Sequence, residues 1–230
     1  ASSGVGNPSW RDSAAKAIER ANLHSFAWLN DLRTVGSDSA RRRARDLMSD
    51  WIKHHAAWDA FVWRPDLLAS RIVYWIAEHD FFCASANDEF RAAYFRSLAH
   101  QVRHLFRIAP GTDKGGSRFV VIKALFYAAV ALPGYHRRMD RAQRLLEQEI
   151  RRQILADGAH VERCPLTHLT VLRTLVDIRT CLNAGGHGIP ALLGSAIGRM
   201  APALRAMRHG DGRLALFNGT NEGEAWLVEA

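Results

Sequence analysis

Apolar side chains recur along most of this chain at steps of three and four residues, the spacing that predicts amphipathic α-helices. One helix is predicted to begin near Ser37, and two others at Pro65 and Asn87, where a capping residue or a proline precedes the apolar pattern. The Asn87 helix is expected to run to about residue 108. Further helices are predicted at residues 119–132, 137–154, from 165 onward, and 190–208.

The segment from Phe119 to Leu132 is apolar almost all round, and such a helix is normally buried. Its neighbour from Arg137 to Ile154 is highly charged, with only a narrow apolar seam. This contrast predicts an inner helix paired with an outer one. We therefore expect an all-α fold, an incomplete α/α toroid of antiparallel helix pairs.

Strand-type alternation is confined to the C-terminal part of the chain. Gly210-Asp211-Gly212 reads as a tight turn that enters a short strand at Arg213 to Phe217, and this predicts a β-hairpin-like segment. The expected organisation is thus a helical domain at residues 1–209 and a turn and strand segment at residues 210–230.

Lys and Arg outnumber Asp and Glu by 31 to 23 in the 230 residues, which gives a formal charge of +8 and a pI near 10.0. Such a surface attracts polyanions, and nucleic acid and acidic polysaccharide fit it equally well. Lys123 interrupts the longest apolar run, so no membrane insertion is expected. The start of the chain does not read as a signal peptide, and the cysteine pattern leaves the compartment open between bacterial cytoplasm and periplasm.

Several enzyme classes are excluded by the motifs. The chain has no Walker phosphate loop, no nucleophile elbow and no dinucleotide fingerprint. Cys83, Cys164 and Cys181 have no paired spacing, which argues against a disulfide framework and a zinc site. No metal and no cofactor is predicted.

The stretch from residue 155 to 168 concentrates ionisable side chains between two helical segments. An Asp-Gly turn halts the first helix, and Pro165 suits the first turn of the next. His160 and Glu162 lie two residues apart there, with Arg163 and His168 nearby. A histidine can act as acid or base near neutral pH, but these residues could equally join a structural hydrogen-bond network.

Lys123 and Tyr127 are four residues apart on the predicted inner helix and share one of its faces. A lysine in that position must reach a carboxylate, open on to a cleft or extend to the rim, because burying it unpaired costs several kcal/mol. The functional interpretation makes Lys123 a cation for substrate carboxylates and Tyr127 a proton donor.

A basic stripe follows the Asn87 helix, and tryptophans are concentrated in the first third of the chain. The stripe consists of Arg96, His100, Arg103, His104 and Arg107. It could hold sulfates, uronates or phosphates, or it could be a solvated face. Trp58 and Trp63 are candidates for the rim of a sugar-binding cleft, whereas Trp51 is expected in the core.

Three stretches resemble the bacterial heparinase II/III-type polysaccharide lyases. Residues 157 to 168 read DGAHVERCPLTH, close to the family's Asp-Gly-x-His-x-Glu-x-Ser-Pro-x-Tyr-His. LHSFAWL at residues 23–29, and RHGDG at 208–212 followed by LFNG at 216–219, are similar to segments of heparinase-like proteins of alphaproteobacteria. The resemblance implies a helical toroid followed, in relatives, by a β-sheet domain that continues beyond Gly219, so the chain is expected to be the toroid portion.

The resemblance also implies β-elimination on uronate-containing chains, with an Asn-His pair, a tyrosine and a histidine from the sheet domain as acid and base groups. This chain has Gly116-Ser117 and Thr167 at the first two positions, and only His160, Glu162 and His168 match the pattern. The candidate catalytic residues are therefore His160, Glu162, His168 and Tyr127, and the candidate substrate-binding residues are Lys123, Arg163, Arg103, Arg107, His100, Trp58 and Trp63. Two hypotheses follow: a lyase-like domain that acts on or binds an acidic glycan, or a non-catalytic basic module that binds an acidic polymer, glycan or nucleic acid.

Overall fold

Helices account for nearly every regular element in the residues that the computed structural model describes, which are 17–55, 57–112 and 115–220. The α-helices are α1 (Ala17–Ser25), α2 (Leu29–Val35), α3 (Asp38–His55), α4 (Pro65–Ala77), α5 (His79–Cys83), α6 (Asp88–Ile108), α7 (Ser117–Ala131), α8 (Met139–Gln153), α9 (Pro165–Ala184) and α10 (Ala191–Ala206). Two 3-10 turns, Ala109–Gly111 and His136–Arg138, precede α7 and α8.

The helix boundaries confirm the capping arguments made from the sequence. The Asn87 side chain accepts a hydrogen bond from the Phe90 N–H at 2.9 Å and so caps α6. Pro65 and Pro165 each occupy the first turn of a helix. Backbone N–H groups there have no hydrogen-bond acceptor within the helix, so a proline, which lacks the N–H, costs nothing. Gly36 ends α2 in the left-handed conformation.

The chain divides into two compact units, Ala1–Ala109 and Pro110–Ala230. In the first unit, α4 packs against α1 and α6, and α3 packs against α2 and α6. Trp51 and Trp75 are fully buried at its centre, with edge-to-face contacts to Phe26 at 5.4–5.6 Å. The expectation that Trp51 is a core residue is thus confirmed.

A buried cation also lies in the first unit. Arg71 is 0% exposed and stacks on Trp51 at 4.4 Å, while its guanidinium donates to Gln101 Oε1 at 2.6 Å and to the backbone carbonyls of His24 and Val62. Desolvation lowers the pKa of Arg71 to about 9. The charge is therefore kept at neutral pH by neutral acceptors and a ring face.

In the second unit, α7 is the inner helix. It packs against both α8 and α9, and α10 closes against α8 and α9. Nine residues of α7 are buried. In α8, by contrast, only one side is buried, and its apolar residues are Ala142, Leu146 and Ile150. The predicted pairing of an apolar inner helix with a charged outer one is therefore confirmed.

The predicted C-terminal strand is reduced to a single antiparallel bridge between Arg208 and Leu214 in the described residues. Gly212 has a φ of +86°, and Asp211 accepts a hydrogen bond from the Arg213 N–H, so the tight turn forms as expected. An isolated pair of short segments forms few backbone hydrogen bonds and is only marginally stable. The pairing is therefore limited to this one bridge.

A glycine in the second unit provides a stability test. Gly158 has a φ of +84°, and a Cβ there would overlap the backbone carbonyl of Arg199. We expect Gly158→Ala to lower the free energy of unfolding by about 3 kcal/mol, because strain and a rigid clash act together. Urea denaturation followed by circular dichroism measures this change.

Gly194→Ala is the matched control for this measurement. Gly194 lies inside α10, and a Cβ there has nothing within 4 Å. Alanine at that position is expected to stabilise the protein by about 0.5 kcal/mol. Equal effects of the two substitutions would contradict the close approach of Gly158 to α10.

Candidate functional site

The connection between α8 and α9 folds back on itself. Val161 N–H donates to the Gln153 carbonyl at 2.9 Å, and Leu155 N–H donates to the Ala159 carbonyl at 2.9 Å. Asp157 turns the chain by accepting from the Ala159 N–H at 3.0 Å, and this hydrogen bond is the main reason that its pKa is lowered. The ends of this turn fix His160 against α8.

His160 and His168 are both 0% exposed, and every ring nitrogen has a partner. His168 Nε2 lies 2.9 Å from the Met200 carbonyl, which can only accept, so Nε2 carries the proton. His168 Nδ1 accepts from the His160 backbone N–H at 3.3 Å. His160 Nδ1 likewise accepts from the Glu162 N–H at 3.3 Å, which leaves its Nε2–H to donate to Gln153 Oε1 at 2.9 Å.

These contacts fix both imidazoles in the neutral form. A second proton on either ring would point at a backbone N–H. Desolvation by burial lowers the pKa of both His160 and His168 below the usual histidine value. All four ring nitrogens of the two histidines are thus engaged in hydrogen bonds within the protein.

A buried carboxylate extends this network into α7. Glu149 is 2% exposed, and its Oε2 accepts from Gln153 Nε2 at 2.7 Å and from Arg152 at 2.7 Å. Its Oε1 lies 2.9 Å from Arg118 Nε, an ion-pair contact whose N–H does not point along the line between the atoms. Arg118 also donates to the Thr112 carbonyl at 2.7 Å.

Glu162 and Arg163 are exposed on the outer side of the turn. Arg163 has a φ of +51° and pairs with Asp157 at 2.8 Å. Glu162 forms none of the salt bridges found among the described residues, and a Cβ placed on Gly115 would lie 3.7 Å from its Oε1. Glu162 is therefore an exposed carboxylate, in contrast to the buried His160 and His168.

The two positions at which the sequence departs from the lyase pattern come together in the structure. A Cβ added to Gly116 would lie 3.0 Å from Thr167 Cγ2. Gly116 has no side chain and a threonine hydroxyl does not ionise near neutral pH, so neither position supplies an ionisable group.

Lys123 and Tyr127 form a separate cluster further along α7. Lys123 Nζ lies 3.0 Å from Asp177 Oδ2 of α9, so the lysine reaches a carboxylate, one of the outcomes anticipated from the sequence. Burial, followed by the charge of Asp177, raises the pKa of Tyr127 to about 12. Burial also raises the pKa of Cys181 to about 11. Tyr127 is therefore a neutral hydroxyl at physiological pH.

The structure does not bring the two clusters to one surface. His168 and Asp177 are nine residues apart on α9, which places them about 13 Å apart along the axis and on opposite faces, at about 100° per residue. His160 and His168 therefore lie on the side of α9 away from the Lys123 and Tyr127 cluster.

The basic stripe of the first unit is present on α6. Arg96, His100, Arg103 and Arg107 are exposed, and their spacing places them on one face. His104 Nδ1 accepts from Arg107 Nη2 at 2.8 Å, and desolvation followed by the charges of Arg107 and His100 lowers its pKa.

The two tryptophans proposed for a rim differ in position. Trp58 is 66% exposed. Trp63 is only 4% exposed, because the rings of His100 and His104 cover it at centroid distances of 5.1 and 5.2 Å. Trp63 therefore packs beneath the two histidines of the α6 stripe, and its ring has no exposed face for a sugar.

The part of the chain that the structure describes contains no group of three or more His, Cys, Asp or Glu side chains that could hold a metal. None of its helices combines the length and hydropathy needed to cross a bilayer.

Four residues of these networks were missed by the sequence reasoning, namely Arg118, Glu149, Gln153 and Asp177. Glu149 and Gln153 carried a usable signal, since they fall on the same side of α8 as Leu146 and Ile150. Asp177 carried none, because it is 54 residues from Lys123 in sequence.

The model of the Heparinase II/III N-terminus family matches residues 9–227, so the chain belongs to that family. FtsZ-localized protein C of Caulobacter vibrioides is 33% identical over 198 residues, which is 86% of this chain and 34% of that protein.

Two solved structures have a similar fold. A crystal structure of heparinase III matches 88% of this chain and 33% of its own length, with a TM-score of 0.77 and 17% identity. The heparan sulfate lyase HepC from Pedobacter heparinus matches 89% of this chain and 34% of its own length, with a TM-score of 0.72 and 20% identity. The chain thus spans about a third of the length of these relatives. Its fold is the all-α, toroid-type helical fold expected from the sequence.

The neutral, buried histidines predict how stability depends on pH. Their folded-state pKa values are lowered, so below about pH 6.5 the unfolded chain binds more protons and the free energy of unfolding falls. This contribution is fully present above pH 6.5 and is lost on acidification. We expect His160→Gln to reduce the loss of stability between pH 7.5 and 5.5, as measured by urea denaturation at each pH.

His209→Gln is the control, because His209 is exposed outside this network. It should leave the pH dependence unchanged. If the wild type and His160→Gln lost the same stability on acidification, His160 would not be the neutral ring described above.

Proposed function

We propose that this domain binds an acidic, uronate- or sulfate-bearing glycan without cleaving it. The observation that carries the proposal is the engagement of all four ring nitrogens of His160 and His168 in the buried network. Proton transfer in β-elimination needs a group that can change its protonation state at the substrate.

The binding surface that we propose is the α6 stripe. Arg96 and Arg103 have no carboxylate within 4.0 Å among the described residues, so their guanidinium groups are available for bidentate contacts to carboxylate or sulfate. The packing of His100 and His104 on Trp63 holds two imidazoles on the same face, where they can donate to a glycan anion or accept from its hydroxyl groups. The solved relatives named for heparinase and heparan sulfate lyase activity support a glycan as the polyanion.

Charge reversal of the stripe tests this proposal. The variant Arg96→Glu/Arg103→Glu/Arg107→Glu is expected to weaken binding of a heparin or alginate oligosaccharide by about tenfold or more at moderate salt, because three cationic contacts are lost. Its affinity should also depend less steeply on salt. Isothermal titration calorimetry at several salt concentrations measures both effects.

The matched control is Arg141→Glu/Arg144→Glu/Arg151→Glu on α8, which alters the net charge equally. This variant should keep most of the affinity for the glycan. Equal weakening in both variants would show that only net charge matters, and unchanged binding in the α6 variant would exclude the stripe. Release of unsaturated ends from any uronate polysaccharide by the chain itself would contradict the non-catalytic part of the proposal.

A second function is supported by the relative from Caulobacter vibrioides, whose name describes localisation with FtsZ and whose sequence is 33% identical over 198 residues. We propose that the protein containing this chain also localises with FtsZ. A fluorescent fusion should concentrate at the division site and disperse when FtsZ is depleted. A uniform distribution of the fusion in dividing cells with intact FtsZ assemblies would contradict this function.

A further inference from the structure

The outer face of α8 carries a second line of arginines that the proposed glycan surface does not use. We call it the α8 stripe, and it consists of Arg141, Arg144, Gln148 and Arg151, with Arg137 in the preceding 3-10 turn. At about 100° per residue these positions fall within an arc of about 80°. Arg137, Arg144 and Arg151 are exposed, and Arg141 is partly exposed. The buried residues of α8 lie on the opposite side.

The arginines that the fold requires are paired, and those of the α8 stripe are not. Arg118 and Arg152 both contact the buried Glu149 carboxylate. By contrast, Arg141, Arg144 and Arg151 have no carboxylate within 4.0 Å among the described residues. Arg141 is three residues from Arg144 and four from Arg137, spacings at which like charges destabilise a helix. The stripe therefore places like charges beside one another without an ion pair within 4.0 Å among the described residues.

Two carboxylates lie close enough in sequence to pair with the stripe but do not. Asp140 and Glu147 precede Arg144 and Arg151 by four residues, the favourable order for an ion pair on a helix. Glu147 instead accepts a hydrogen bond from Gln143 at 2.9 Å. The guanidinium groups are thus left facing solvent, and a row of negative charge borders one edge of the stripe.

We propose that the α8 stripe is a docking surface for an acidic α-helix of a partner protein. Carboxylates at successive i, i+3 and i+4 positions of such a helix repeat at the same distances as the arginines, so several bidentate pairs can form along two adjacent helices. A helix presents its charges as one narrow row, which suits a stripe bordered by Asp140 and Glu147. A broader polyanion, such as a nucleic-acid duplex, would extend its negative charge over these carboxylates, which favours the single row of charge that a helix presents.

The experiment uses the full chain and two synthetic peptides of equal composition. One peptide is an alanine-rich helix with glutamates at positions 1, 4, 8 and 11, and the other distributes the same glutamates around the helix. We expect the wild type to bind the first peptide at least about fivefold more tightly than the second, measured by fluorescence anisotropy. Arg141→Gln/Arg144→Gln/Arg151→Gln should lose about tenfold in affinity for the first peptide.

The matched control is Arg96→Gln/Arg103→Gln/Arg107→Gln on α6, which should bind the first peptide as the wild type does. The glycan proposal depends on the glycan affinity of α6 variants, whereas the present proposal depends on the peptide affinity of α8 variants. The two proposals can therefore fail independently. Circular dichroism verifies the fold of each variant. If the triple α8 variant does not fold, Arg144→Glu with a peptide carrying lysine in place of one central glutamate gives the same test, since the exchanged pair should restore binding.

Equal affinity for the two peptides would overturn the proposal, because charge without helical spacing would then suffice. Tighter binding of a heparin oligosaccharide or of duplex DNA to the same stripe, lost in the α8 variant, would also overturn it and assign the stripe to a polymer.

Discussion

The Glu149 carboxylate is the charge around which the second unit is built. It is 2% exposed, and Arg118, Arg152 and Gln153 approach it from α7 and α8. Gln153 in turn accepts a hydrogen bond from the His160 ring. The His160 backbone N–H donates to His168, near the start of α9. Breaking a buried pair of this kind by removing one partner typically costs about 3–5 kcal/mol, because the other charge stays buried without compensation. One carboxylate thus couples three helices and the turn between two of them.

This network determines what the histidines can do. A histidine on a turn between rigid helices has the sequence context of a general acid or base, but chemistry requires a ring nitrogen that can reach a substrate. Here the nitrogens of His160 are occupied by Gln153 and by a backbone N–H, and those of His168 by the Met200 carbonyl and another backbone N–H. Gly116 and Thr167, the positions at which the sequence departs from the lyase pattern, are neighbours, since a Cβ added to Gly116 would lie 3.0 Å from Thr167 Cγ2. The likeness to the solved lyases is a likeness of fold.

The fold was predictable because its signals are local. The cap at Asn87, Pro65 and Pro165 in the first helical turns, and the apolar character of residues 119–132 all act within one or two turns of the chain. The site was less predictable because its geometry depends on distant partners. Whether Lys123 opens on to a cleft or forms an ion pair is decided by Asp177, which only the packing of α7 on α9 brings to 3.0 Å. The departures at Gly116 and Thr167, in contrast, were visible in the sequence, since they concern residue identity alone.

The excess of positive charge falls into two physically different classes. Arg71 and Arg118 are buried, and the surrounding carbonyls, rings and carboxylate compensate them, so they stabilise the core and are hidden from any ligand. Arg96 and Arg103 on α6 and Arg144 and Arg151 on α8 are exposed, and no carboxylate lies within 4.0 Å of them in the described chain. Exposed like charges at helical spacing repel one another, which raises the free energy of the folded protein slightly. The formal charge of +8 therefore does not show where positive charge is accessible, because part of it is buried and part forms exposed rows on α6 and on α8.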